Sequence, residues 1–331
     1  MSPPVTGRYG ADDPESYERP RRRTRPRTKE RPSYDDAVPA VVVAVDRGRY
    51  TCLLVADGEP GSQVVAMKSR PLGRKGVVVG DRVRIVGDVS GTEGTLARIV
   101  TVDERTTVLR RTADDTDPVE RVIVANADQL VIVTALADPE PRTGLVDRAL
   151  VAAYDAGMAP LLCLTKADLA SPDELLALYR PLGVPFVVTR QGAGLADVRE
   201  RLAGRTSVLV GHSGVGKSTL VNALVPSARR DTGVVNAVTG RGRHTSTSAV
   251  MLGLPEPTGW IIDTPGIRSF GLAHVQADQL IEAFPDLHEL TTTCPRGCTH
   301  GTDAPECGLD EATGDEAERV ASFRRLLASR D

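Results

Sequence analysis

Short runs of alternating apolar and polar residues fill the chain from residue 38 to about 110, after which the pattern changes period. In the first stretch "AVVVAVDRGRYTCLLVA", "QVVAMKSR", "DRVRIVG" and "GTLARIVTVDER" are separated by the Gly-rich breaks "DGEPG" and "DVSGTEG". About five short strands with such turns predict a small closed barrel. An OB-fold, whose barrel commonly binds oligonucleotides, is one form; an SH3-like barrel docked on its neighbour is the other, and strand spacing does not separate them. Beyond "DDTDP" the runs become continuously apolar: "QLVIVTAL", "APLLCLTK", "VPFVVTR", "TSVLVG" and "GWIIDTP". Such runs fit parallel strands buried on both faces. Helix-length segments lie between them: "GLVDRALVAAYDAG", "SPDELLALYRPLG" with Ser171 as its cap, and "GKSTLVNALV". The alternation predicts a doubly wound α/β domain. After about residue 272 the chain turns helical and acidic. The expected organisation is a disordered tail over 1–37, a barrel over 38–118, an α/β domain over 119–272 and a helical domain over 273–331.

Composition changes this picture little. The 331 residues are 40% hydrophobic and 26% charged, ordinary values for a globular protein. The formal net charge of -3 conceals the basic run "RPRRRTRPRTKERP" at 19–32. Such a run condenses on phosphate backbones through counterion release, or it serves as a solvated tail. No apolar stretch reaches the ~20 residues of a membrane span, and the first residues lack the layout of a signal peptide. A cytoplasmic protein without a membrane partner is expected. Cys52 and Cys163 sit in apolar strands and read as buried small hydrophobes. The other three cysteines crowd between 294 and 307, which in a reducing compartment points to a metal.

The chemistry concentrates in three segments. "GHSGVGKST", Gly211, His212, Ser213, Gly214, Val215, Gly216, Lys217, Ser218 and Thr219, satisfies the phosphate-loop pattern between a strand and a helix. Glycines let the backbone wrap a phosphate, Lys217 reaches the outer phosphates and Ser218 holds magnesium. "DTPG" follows the strand "GWIID"; there Asp263 would accept from the water shell of magnesium, and the Gly266 amide would sense a terminal phosphate. "TKAD", Thr165, Lys166, Ala167 and Asp168, ends another buried strand, where α/β proteins bind ligands. A carboxylate at Asp168 pairs with the two donors of guanine's Watson–Crick edge and would stay unpaired against adenine. Lys166 would pack along the base and brace the phosphate loop. Thr165 stands where such loops usually carry Asn, so one hydrogen bond to base or phosphate loop is expected to be shortened or lost.

The order of these loops is rotated, with the base loop ahead of the phosphate loop. Joining nearby termini and cutting elsewhere leaves the core unchanged, so the site survives the rotation. With its permuted order, "GHSGVGKSTLVNAL", "GRGRHTST", "DTPGIRSFGL" and a late Cys/His cluster, the sequence from about 38 to 325 resembles the circularly permuted, ribosome small subunit-dependent GTPase A family. The resemblance implies an OB-fold, a permuted GTPase domain and a zinc-containing helical domain, in a factor of late small-subunit maturation. It matches Thr245 to the magnesium-contacting switch threonine, with Ser246 or Thr247 as alternatives. Ile267 follows DTPG where Ras-like enzymes place a water-orienting glutamine, which leaves His244 as the nearest candidate for that task. Cys294, Cys298, His300 and Cys307 form a closed Cys3His set, the mark of structural zinc, with gaps shifted by one residue from the family pattern.

The expected protein is therefore a monomeric GTP hydrolase using GTP, magnesium and one zinc per chain, with the small ribosomal subunit and its rRNA as partner. A nucleotide-gated RNA-binding protein with negligible hydrolysis is the second reading. An ATP-dependent kinase explains neither TKAD nor DTPG.

Overall fold

The computed structural model describes residues 34–330 apart from 57–58, 74–75, 113–119, 228–248, 256–257, 265–269, 271 and 273. The Arg-rich run at 19–32 lies outside the described residues. Strands β1 (Val38–Asp46), β2 (Arg49–Ala56), β3 (Glu59–Lys68), β4 (Arg82–Val86) and β5 (Ala97–Val102) follow the predicted runs. They pair in the order β1-β2-β3-β5-β4, and β4 pairs back onto β1, which closes the barrel. Only the β3–β5 pair is parallel. A closed five-stranded barrel in this order is the OB-fold form of the two expected. Alternation sets its faces: Arg82 and Arg84 point out, whereas Val83 and Ile85 point in and join Val42, Cys52 and Ile99 in the barrel core.

Three strands escaped the sequence pattern. Strands β6 (Val108–Thr112) and β7 (Glu120–Ala125) form a separate antiparallel pair, placed where the reading had a boundary. Their connection is "ADDTDPV", whose polarity reads as a linker. The parallel sheet holds β8 (Gln129–Ala135), β9 (Ala159–Thr165), β10 (Phe186–Val188), β11 (Thr206–Val210) and β13 (Trp260–Asp263). The other missed strand, β12 (Val250–Gly253), runs antiparallel to β13. At four residues it is too short to show a period. Sheet order is β10-β9-β8-β11-β13-β12, and among the described residues the pairing of Ala44 with Val250 continues it into β1 of the barrel.

All seven residues of β8 are buried, because helices cover both faces. Leu130 and Ile132 face one core with α1 (Thr143–Asp155) and α2 (Asp173–Tyr179); Val131 and Val133 face the other with α3 (Leu195–Leu202) and α4 (Lys217–Leu224). The helical part comprises α5 (Ala277–Ile281), α6 (Pro285–Leu290) and α7 (Asp315–Ala328). It shares the α1 core. Phe284 and Phe323 are fully buried and meet edge to face with centroids 5.5 Å apart, and Phe284 meets Tyr154 of α1 at 5.0 Å. Each ring contributes roughly 2–3 kcal/mol through burial. Arg325 of α7 reaches buried Asp147 at 3.2 Å, donates to the Leu178 carbonyl at 2.8 Å and lies over the Tyr179 ring. Residues 36–331 accordingly form one compact unit.

Candidate nucleotide site and metal centre

The phosphate loop leaves β11 between β8 and β13, at the C-terminal edge of the sheet. Gly211 crosses so close to β8 that a Cβ would lie 2.5 Å from the Val133 carbonyl oxygen. Gly214 and Gly216 have φ of 87° and 90°, left-handed values that side chains oppose. Helix α4 begins at Lys217, so Ser218 and Thr219 sit exposed in its first turn, where free amides favour an anion. His212 keeps its Nδ1 2.9 Å from the Ser213 carbonyl. Lys217 donates from Nζ to the Asp263 carboxylate and, at 2.7 Å, to the Thr264 carbonyl. The Thr264 hydroxyl donates back to Leu209 at 2.7 Å, which ties the end of β13 to the root of the phosphate loop.

The base loop leaves β9 on the same edge. Thr165 is buried, and its Oγ1 donates to the Val215 carbonyl at 2.6 Å and lies 3.3 Å from the Thr134 carbonyl. Thr165 therefore does reach the phosphate loop, through a short bond. A Cβ on Gly216 would lie 3.7 Å from Thr165 Oγ1, ordinary packing distance. Lys166 takes a left-handed φ of 60° and donates to the Asp138 carbonyl. The Ala167 amide donates to Thr189 at 3.1 Å, and the Thr189 amide to Leu164 at 2.7 Å, so the loop after β10 braces the base loop. Asp168 stands exposed at the rim. The fold thus gathers Thr165–Asp168, Gly211–Thr219 and Asp263 along one sheet edge. His244, Thr245 and Gly266 lie outside the described residues.

The four ligands read from the Cys/His cluster also converge. Ligand atoms of Cys294, Cys298, His300 and Cys307 all lie within 4.8 Å of one another. Cys294 Sγ is 4.0 Å from Cys307 Sγ, and His300 Nδ1 is 3.7 and 3.8 Å from those sulfurs. A tetrahedron with bonds of about 2.3 Å has edges of about 3.8 Å, so the set fits zinc. The Gly308 amide donates to Cys294 Sγ at 3.1 Å, and Asp278 of α5 lies 3.4 Å from His300 Nε2, the partner that orients a ligating imidazole. Burial, with Cys307 beside it, pushes the Cys294 thiol up to about 11, so a cation must displace its proton to gather thiolates here. Cys52 and Cys163 are pushed up to about 12 by burial and stay inert thiols. Asp278 carried no signal in the sequence, since only the path of α5 brings it to the cluster.

Comparison with known proteins adds an independent line. The model of the RsgA GTPase family matches residues 102–273. A protein of Ectopseudomonas mendocina called small ribosomal subunit biogenesis GTPase RsgA is 45% identical over 219 residues, 62% of this chain and 63% of its own length. The chain thus spans less than two thirds of that relative. A protein of the same description from Pseudomonas savastanoi pv. phaseolicola is 40% identical over 285 residues, 82% of this chain and 80% of its own. Among solved structures, YjeQ from Thermotoga maritima superimposes with a TM-score of 0.63 at 27% identity, covering 88% of this chain and 99% of that one. YloQ, described as a circularly permuted GTPase, gives 0.62 at 23% identity over 91% and 99%, a likeness of fold.

Proposed function

The chain belongs to the RsgA GTPase family, and from that premise we propose that it hydrolyses GTP to GDP and phosphate on the small ribosomal subunit, whose late maturation it assists. The observation that carries this reading is the convergence of base loop, phosphate loop and Asp263 on one sheet edge, with Thr165 bonded to Val215 between the first two.

In this reading Gly211–Thr219 cradles the phosphates and Lys217 moves from Asp263 onto the outer oxygens. Asp168 reads the guanine edge, and Lys166 lies along the base. Ser218 and Asp263, with Thr245, would hold magnesium, which neutralises charge developing on the phosphate oxygens when bound. Gly266 senses the terminal phosphate, and His244 orients the attacking water. Cys294, Cys298, His300 and Cys307 hold one structural zinc. The barrel docks on rRNA. No helix among the described residues is long and apolar enough to cross a membrane, and a cytoplasmic monomer is proposed.

Nucleotide competition tests the site. Unlabelled GDP should displace a fluorescent GDP while ADP at the same concentration does not. Asp168→Asn should shift preference toward xanthine nucleotides, whose C2 carbonyl accepts from the new amide. ADP displacing as well as GDP would remove the base-loop assignment.

A further inference from the structure

His274 follows the DTPG segment and precedes α5. Its Nδ1 lies 2.7 Å from Glu120 Oε1, and its Nε2 lies 2.9 Å from Asp155 Oδ2. Carboxylates only accept, so satisfying both contacts requires both ring nitrogens to donate, which only the imidazolium does. The three groups come from distant elements: Glu120 opens β7, Asp155 closes α1, and His274 ends the connection from β13. Among the described residues the charged groups that act on the ring are Glu120 from β7 and Asp155 from α1; Arg330, just past α7, donates to the Val275 carbonyl next to it at 3.0 Å. Tyr154 beside Asp155 is pushed up to about 12 by burial and stays neutral. Hydrogen bonds to Glu120 and Asp155 outweigh desolvation, the largest single effect, and the His274 pKa rises above its usual value.

The place of this clasp gives it a task. Asp263 and Thr264 fix the near end of the connection against Lys217 and Leu209. At the far end Phe270, Leu272 and Val275 are buried in the α1 core, and His274 adds the polar lock. In the sequence Gly266, the proposed phosphate sensor, falls between these anchors. We propose that His274 is a positioning residue: as a doubly donating cation it fixes the far end of the phosphate-sensing connection to β7 and α1, and hydrolysis slows when that lock is lost. The effect on hydrolysis rests on the GTPase reading above; the lock itself does not.

A raised folded-state pKa makes the lock fully present below the ordinary histidine value near 6.5 and lost as pH rises through the folded value. The test uses the full chain and a His274→Gln variant, which can serve one carboxylate but does not titrate. Amide exchange of 270–276, corrected for the chemical rate, and single-turnover GTP hydrolysis on saturating small subunits are followed from pH 6 to pH 9. In the wild type both protection and rate should fall together by about threefold for a half-exposed pair, with GDP affinity constant. His274→Gln should be low and flat in both. Wild-type protection that is flat with pH, or a His274→Gln variant that keeps the wild-type profile, overturns the proposal. Absence of hydrolysis in the wild type would instead count against the GTPase reading, and the exchange experiment still decides the lock.

Discussion

Replacing Thr165 with valine removes one hydroxyl while keeping shape. The hydroxyl is buried and donates to the Val215 carbonyl at 2.6 Å, inside the loop that would wrap the phosphates. Losing a buried bond of this kind, with its acceptor left behind, costs about 1–2 kcal/mol. If that energy holds the phosphate loop in its binding shape, affinity should fall by roughly 5- to 30-fold. GDP and GTP should weaken equally, because the loop serves phosphates common to both, and preference for guanine over adenine should persist because Asp168 is untouched. Thr165→Ser should stay near wild type. Titration with a fluorescent GDP at saturating magnesium measures this, alongside melting curves that confirm folding. A folded valine variant binding GDP within about twofold of wild type would refute the idea that Thr165 joins the two loops.

Three further outcomes follow from named contacts. Gly211→Ala places a Cβ 2.5 Å from the Val133 carbonyl oxygen, on rigid sheet backbone, so the phosphate loop must shift and GDP affinity should drop at least about tenfold in the same titration. Arg325→Ala leaves Asp147 buried without its cation and should cost about 1–3 kcal/mol in urea unfolding. Burial already raises the Asp147 pKa against the lowering effect of Arg325, so the variant's raised carboxyl should make its deficit grow as pH climbs from about 4 toward neutrality; a deficit constant with pH contradicts this. Elemental analysis should find about one zinc per chain. Its removal should expose amides over 277–311 and lower the melting temperature, since Ala304, Cys307 and Leu309 share the core of Phe284 and Phe323; an unchanged melt after verified removal counts against structural zinc.

The elements with a strong local signal could be read without the structure. Continuous apolar runs marked β8, β9 and β11 because both faces of each are covered, and the spacing of Gly211 and Gly216 marked the phosphate loop because the first passes hard against Val133 and the second needs a left-handed φ. What escaped reading depends on distant partners. The strand β12 is defined by its place beside β13, and β6 and β7 by each other across a polar connection. A change of composition marks the start of the helical part at about 272, and only the fold shows Phe284 and Phe323 packing into the α1 core. Thr165 reads in the sequence as a replacement for Asn, and only the fold shows its hydroxyl reaching the Val215 carbonyl. The link from His274 to Glu120 and Asp155 spans 154 and 119 residues, and no periodicity encodes it.

The central claim is a guanine-specific hydrolase that the small subunit switches on, and multiple-turnover phosphate release with and without saturating small subunits tests it most directly. Wild-type protein alone should turn over GTP slowly, near ~10⁻⁴ s⁻¹, as GTPases without their activating group do, and subunits should raise that rate by orders of magnitude toward the limit of about 10⁵-fold. ATP should not be consumed, and Lys217→Ala should abolish the stimulated rate. A GTP rate unchanged by subunits, or equal release from ATP, would contradict the account.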